Sequence, residues 1–294
     1  MQIDLQIWFQ ELFSWGYGFF DVFWSFITFF GEEMFMIILL PILYWVVDKK
    51  AAIIIATSSI LSMAVNGAIK DIAKIDRPFV DPDNGVRFVS VDNLFVSTEG
   101  LKGSYSFPSG HAQLSASIAF TSAFYVKNKK FWIFASVMAV LVALSRVYLG
   151  VHWPLDVLVG TLLGFALSYL AYKLFMRFYD KKLFIYIALS VLGFILLFFA
   201  SKEDSFKAMG AIIGFGTGAI FEMKLVNFDP KAGKPWQKVL RVVLGLIILL
   251  GIKEGMKPVL SLFGDSFILD AIRYFLLVFV AIGVYPLLFK KIKL

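Results

Sequence analysis

The sequence contains no cysteine. Disulfides, thiolate nucleophiles and cysteine-ligated metal sites are therefore excluded. Histidine is almost as scarce, and His111 and His152 hold all the imidazole chemistry open to the chain. Charge is thin as well. Asp, Glu, Lys and Arg make up 17% of the 294 residues, against about 25% in a typical soluble domain. There is no Asn-x-Ser/Thr sequon, no Pro/Ser-rich linker and no convincing internal repeat. The N-terminus has neither the basic start nor the small-residue cleavage site of a signal peptide, so insertion is expected to rely on internal spans.

What fills the chain is apolar. Hydrophobic residues make up 60% and aromatics 17%, with a mean hydropathy of +0.81. Apolar runs recur along almost the whole length, which predicts an all-α, polytopic transmembrane helical bundle. Residues 3–15 are amphipathic and Trp-rich, as in an interfacial helix. Residues 17–30 are apolar but short and contain Asp21, so they are interfacial or complete a span begun near Ile7. Spans are expected over 34–47, 51–69, 109–126, 131–149, 154–175, 183–200, 208–226, 239–255 and 267–288. That predicts a six-helix core with the interfacial segment in 1–180, and an extension of about four spans in 181–294. A polar loop, 71–108, interrupts the core. Loops of that length are functional or disordered.

The formal charge of +7 does not indicate nucleic acid, because lysines at membrane interfaces account for it. On one set of loops and span ends lie 17 of the 28 Lys and Arg residues, but 4 of the 21 acidic ones. By the positive-inside rule that set is cytoplasmic. The loop 71–108, both histidines and their neighbours then face outward, and the C-terminus faces in. A multi-pass cell (inner) membrane protein is expected. Glu222 is expected to pair with a lysine or with Arg241, and the nearby Gly214, Gly216 and Gly218 to allow close helix packing.

Three short clusters fall on the outward side: Lys70-x6-Arg77-Pro78, Pro108-Ser109-Gly110-His111, and Ser145-Arg146-x5-His152-x3-Asp156. Each suits phosphate chemistry. Lys70, Arg77 and Arg146 offer cations to a phosphate. Ser109 and Gly110 open a helix, where free N–H groups and the dipole favour an anion. His111 lies in the first turn and can act as a general acid. An imidazole at His152 can attack phosphorus, with Asp156 one turn on to orient its other nitrogen.

In this order the clusters resemble the signature K-x6-RP, PSGH, SR-x5-H-x3-D of the type 2 phosphatidic acid phosphatases, a superfamily shared with vanadium haloperoxidases. Every motif position is matched, over roughly residues 20–175. The resemblance implies that His152 is the nucleophile and forms a phosphohistidine. Asp156 would orient it, and His111 would protonate the leaving group. Lys70, Arg77, Ser109, Gly110 and Arg146 would bind the phosphoryl oxygens. It implies no metal and no cofactor. The expected function is an integral membrane phosphatase for a lipid mono- or diphosphate at the extracytoplasmic face. Expected partners are that substrate and membrane lipids, not nucleic acid, with a homodimer left open. Two alternatives stand beside it: a lipid phosphotransferase of the same superfamily, and a lipid transporter or binding protein with a relic site.

Overall fold

The computed structural model describes residues 1–89, 101 and 103–291. The middle of the loop 71–108 (90–100 and 102) and residues 292–294, with Lys293, lie outside the described residues. Every regular element among the described residues is helical. In chain order they are α1 (Gln2–Glu11), α2 (Tyr17–Thr28), α3 (Glu33–Ile42), α4 (Lys49–Ala73), α5 (Gly110–Val126), α6 (Lys129–Tyr148) and α7 (Pro154–Arg177). Then follow α8 (Lys182–Leu197), α9 (Glu203–Phe221), α10 (Pro235–Leu250), α11 (Met256–Ser261), α12 (Phe267–Phe279) and α13 (Pro286–Lys291).

Five stretches are long and apolar enough to cross a membrane: Lys49–Ala73, Lys129–Tyr148, Pro154–Arg177, Glu203–Val226 and Phe267–Phe289. Ser14–Gly31 and Glu33–Val47 make a sixth if read as one span, bent by 54° at Glu32. The chain is thus a multi-pass membrane protein. The spans expected at 109–126 and 183–200 are helical but short. At about 1.5 Å per residue, the 17 residues of α5 cover roughly 25 Å, less than the ~30 Å hydrocarbon core. The expected span at 239–255 passes out of α10 into a π turn, Gly251–Gly255.

The packing divides into two compact units, Met1–Met36 with Val65–Tyr172, and Ile37–Ala64 with Lys173–Leu294. The chain therefore crosses between units within α3, α4 and α7. In the first unit, local sequence sets the helix starts. Asn128 caps α6, its Oδ1 accepting from the N–H groups of Lys130 and Phe131. Pro154 opens α7, where its missing N–H costs nothing. Glycines let α7 lie against the start of α5. A Cβ on Gly160 would fall 2.6 Å from the Ser109 carbonyl oxygen, and one on Gly164 2.4 Å from that of Gln113. An aromatic and aliphatic core of Trp24, Ile27, Val142, Tyr148, Leu149 and Val151, with Phe9 and Phe13 against it, underlies the α6–α7 connection.

In the second unit, α9 packs by its glycines. A Cβ at Gly210 or Gly214 would strike the carbonyls of Ala271 or Phe275 in α12, and one at Gly216 would strike Ser190 and Tyr186 in α8. Close helix packing is thus the use of Gly214 and Gly216. Buried Glu222 meets a lysine, Lys49, at 2.7 Å. Glu254 is exposed and pairs with Lys253.

Candidate active site

All eight sequence-predicted residues lie in the first unit, at helix ends. Lys70 is half-buried in the last turn of α4. Arg77 follows that helix and is buried. Ser109 caps α5, Gly110 is its first residue and His111 sits in its first turn. Arg146 is in the last turn of α6, wholly buried. His152 lies in the connection to α7, and Asp156 in the first turn of α7; both are buried.

The hydrogen bonds assign the nitrogens of His152. Arg77 Nη1 lies 3.0 Å from Nε2. A guanidinium can only donate, so Nε2 is the acceptor and carries the lone pair. Nδ1 then carries the proton, facing Ser106 Oγ at 3.3 Å and Asp156 Oδ2 at 3.4 Å. Asp156 Oδ2 also accepts from Ser106 Oγ and from the Trp153 backbone N–H. Burial first, then the charges of Arg77, Arg146 and Lys70, hold His152 well below the usual histidine value of 6.5. The imidazole is therefore a neutral base with its lone pair at Nε2.

The cations are held by different means. Arg77 donates to the Ser104 carbonyl and hydroxyl and to the Val151 carbonyl. Arg146 gives Nη1 to Thr28 Oγ1 at 2.8 Å, while its buried Nε and Nη2 have no partner among the described residues. Orphaned donors on a buried charge are costly, and a phosphoryl oxygen would satisfy them. Ser109 donates its backbone N–H to the Asp156 carbonyl at 3.0 Å. Gly110 sits close to Asn66: a Cβ there would be 3.3 Å from Asn66 Oδ1. Asn66 Nδ2 donates to the Pro108 carbonyl and to Gln113 Oε1, tying α4 to the start of α5.

Several participants escaped sequence reading. Ser106, two residues before Pro108, is buried and bonded to Asp156. Glu32 lies 2.7 Å from His111 Nε2. α1 presents two glutamines to the site. Gln6 Nε2 donates to the carbonyls of Val147 and His152. Gln10 Nε2 donates to those of Arg87 and Tyr148, and its Oε1 accepts from the Arg87 N–H. Both glutamines are buried, while Leu5 and Trp8 on α1 are exposed. The amphipathic pattern of residues 3–15 thus hid a polar face that grips the connection bearing His152. Arg87 in turn holds Asp21 through two nitrogens and stacks on Tyr17.

Two imidazoles, a buried carboxylate and three cations lie at helix ends of a membrane bundle, a set chemically suited to an anion, and comparison with known proteins narrows the class. Residues 51–180 match the PAP2 superfamily, and residues 206–294 match the PAP2 superfamily phosphatase transmembrane extension. The chain is 36% identical over 126 residues to an undecaprenyl-diphosphatase of Sulfolobus acidocaldarius, covering 43% of this chain and 56% of that protein. It is 27% identical over 218 residues to mouse (Mus musculus) sphingosine-1-phosphate phosphatase 2, covering 70% and 58%. It is 30% identical over 149 residues to the putative undecaprenyl-diphosphatase YbjG of Escherichia coli (strain K12), covering 48% and 67%. The chain belongs to the PAP2 superfamily. It spans little more than half the length of the first two relatives. No solved structure matches it.

Proposed function

We propose that the protein is an integral membrane phosphatase that hydrolyses a lipid mono- or diphosphate through a phosphohistidine, at the extracytoplasmic face and without a metal. In this reading residues 1–180 are the phosphatase core and 181–294 a membrane extension. The observation that carries it is the acceptor Nε2 of His152, set against Arg77 Nη1, with the two partnerless donors of buried Arg146 in the same unit in support.

The chemistry follows from those positions. An entering phosphate takes up the Nε and Nη2 donors of Arg146. Arg77 Nη1 exchanges Nε2 for a phosphoryl oxygen, which frees the lone pair. Lys70, Ser109 and Gly110 complete the oxygen contacts, since preorganised donors cost no reorganisation as charge develops. Nε2 attacks phosphorus, the P–O bond to the leaving group breaks, and His111 gives that oxygen a proton. Asp156 and Ser106 hold the Nδ1–H and stabilise the charge that the ring acquires. Water then attacks phosphorus, returns a proton to His111, breaks the N–P bond and releases phosphate.

The relatives' names cover an isoprenoid diphosphate and a sphingoid monophosphate. That range supports an amphiphilic phosphate as the substrate class. The test is phosphate release by purified protein from undecaprenyl diphosphate, phosphatidylglycerophosphate, phosphatidate and a sphingoid phosphate, with and without EDTA. Release from at least one, unaffected by EDTA and reduced by several orders of magnitude in His152→Ala, is expected. Release from none, or full release by His152→Ala, overturns the reading.

A further inference from the structure

We infer that Glu32, outside all three motifs, is the positioning residue of the general acid: it holds the proton on His111 Nε2 and leaves Nδ1 to exchange protons with substrate and water. The inference rests on His111 as the acid of the proposed phosphatase.

Glu32 lies where the chain bends between Ser14–Gly31 and Glu33–Val47. Its backbone is extended, at φ −80° and ψ 151°, between two helical segments. That break turns its carboxylate out of the helix and onto His111, with Oε1 2.7 Å from Nε2. Gly31 fixes the approach. A Cβ there would fall 2.8 Å from the His111 carbonyl oxygen and 2.8 Å from Val142 Cγ1. The break is pressed directly on the first turn of α5, with no room for a side chain between them.

A carboxylate accepts and does not donate, so Nε2 carries hydrogen. The assignment is the inverse of that at His152. There the carboxylate side holds Nδ1–H and Nε2 faces the chemistry; here the carboxylate holds Nε2–H, and Nδ1 is the nitrogen left for proton transfer. The charges facing this imidazole are Glu32 from the bend, Arg146 from α6 and Arg77 from beyond α4. Two guanidinium groups oppose a cationic ring, and Glu32 offsets them. His111 and Glu32 keep 19% and 24% of their side-chain surface, whereas His152 and Asp156 keep 1% and 3%. The acid pair is the more open of the two, as proton exchange with a leaving group and with water requires. In the first step Nδ1–H passes its proton to the departing oxygen as the P–O bond breaks. In the second, Nδ1 takes a proton from the attacking water. Nε2–H stays on Glu32 through both.

The test is the single-turnover rate of leaving-group release, which reads the first step alone, for Glu32→Gln, Glu32→Ala and Glu32→Asp on chain-matched monophosphates that release either an alkanol or a nitrophenol. An alkoxide needs a proton to leave; a nitrophenolate does not. About 100-fold loss on the alkanol substrate, with the nitrophenol substrate within about threefold of wild type and partial rescue by Asp, is expected. Equal loss on both substrates, or no loss on the alkanol, overturns the inference. A failed phosphatase reading would look different, because the wild-type protein would then release phosphate from neither.

Discussion

At the scale of single residues, the division of labour lies in the two faces of His152. Arg77 forces Nε2 to be an acceptor, and the Ser106–Asp156 pair takes Nδ1. Arg77 has a second effect. Its charge, with burial and with Arg146 and Lys70, depresses the ring's proton affinity. In the proposed reaction the imidazole attacks only as the free base, which predominates above its pKa, so a depressed value would keep it reactive to lower pH. The acid limb of kcat/KM is therefore expected below 6.5. Arg77→Met removes the opposing charge and raises the ring's pKa, so the acid limb should move to higher pH on top of a fall in rate. A pH profile whose acid limb stays in place would show that Arg77 does not set the protonation of His152.

At the scale of elements, α1 is tied by side-chain hydrogen bonds to the connection bearing His152. Its apolar side is exposed, and its glutamines are spent on backbone carbonyls of residues 147, 148 and 152. Those carbonyls belong to a chain leaving one helix and entering another, where the last carbonyls of α6 have no intrahelical partner. Gln6 supplies one. Gln6→Met keeps the volume and removes the donor, leaving the Val147 and His152 carbonyls short of a bond. A buried bond of this kind contributes about 1 kcal/mol or somewhat more, and 1.4 kcal/mol is about tenfold in rate. A fall of roughly tenfold in kcat with little change in KM is the expected outcome, measured at saturating substrate. Wild-type kcat in Gln6→Met would reduce α1 to a membrane anchor.

At the scale of the whole molecule, orientation in the membrane decides which leaflet supplies substrate. The charge asymmetry of the loops is the ground for proposing that the site faces outward. Because the chain has no cysteine, single replacements report directly. Asp83 is exposed beyond α4, and Asn128 is exposed where α5 meets α6. In intact expressing cells an impermeant maleimide should label Asp83→Cys, and should label Asn128→Cys only after permeabilisation. The reverse pattern would move hydrolysis to the cytoplasmic leaflet.

The helical membrane class and the motif residues were legible in the sequence because both are written locally. Apolar runs state their own solvent. Arg77, His111, Arg146, His152 and Asp156 stand beside or near prolines, serines and glycines that mark helix ends, and Lys70 closes an apolar run, so their positions followed from neighbours in the chain. The nitrogen of His152 that bears the lone pair, the grip of Gln6 and the pairing of Glu32 were not legible. Gln6 meets the carbonyl of a residue 146 positions away, and Glu32 an imidazole 79 positions away. Such partners are chosen by where helices cross, and the crossings depend on close approaches such as those of Gly31, Gly160 and Gly164, where the absence of a Cβ lets backbones touch. A glycine or glutamine in an apolar helix looks the same in sequence whether it faces lipid or a catalytic backbone. Which face it presents is fixed only when the bundle packs, because burying its polar groups is favourable only opposite a partner that completes their hydrogen bonds.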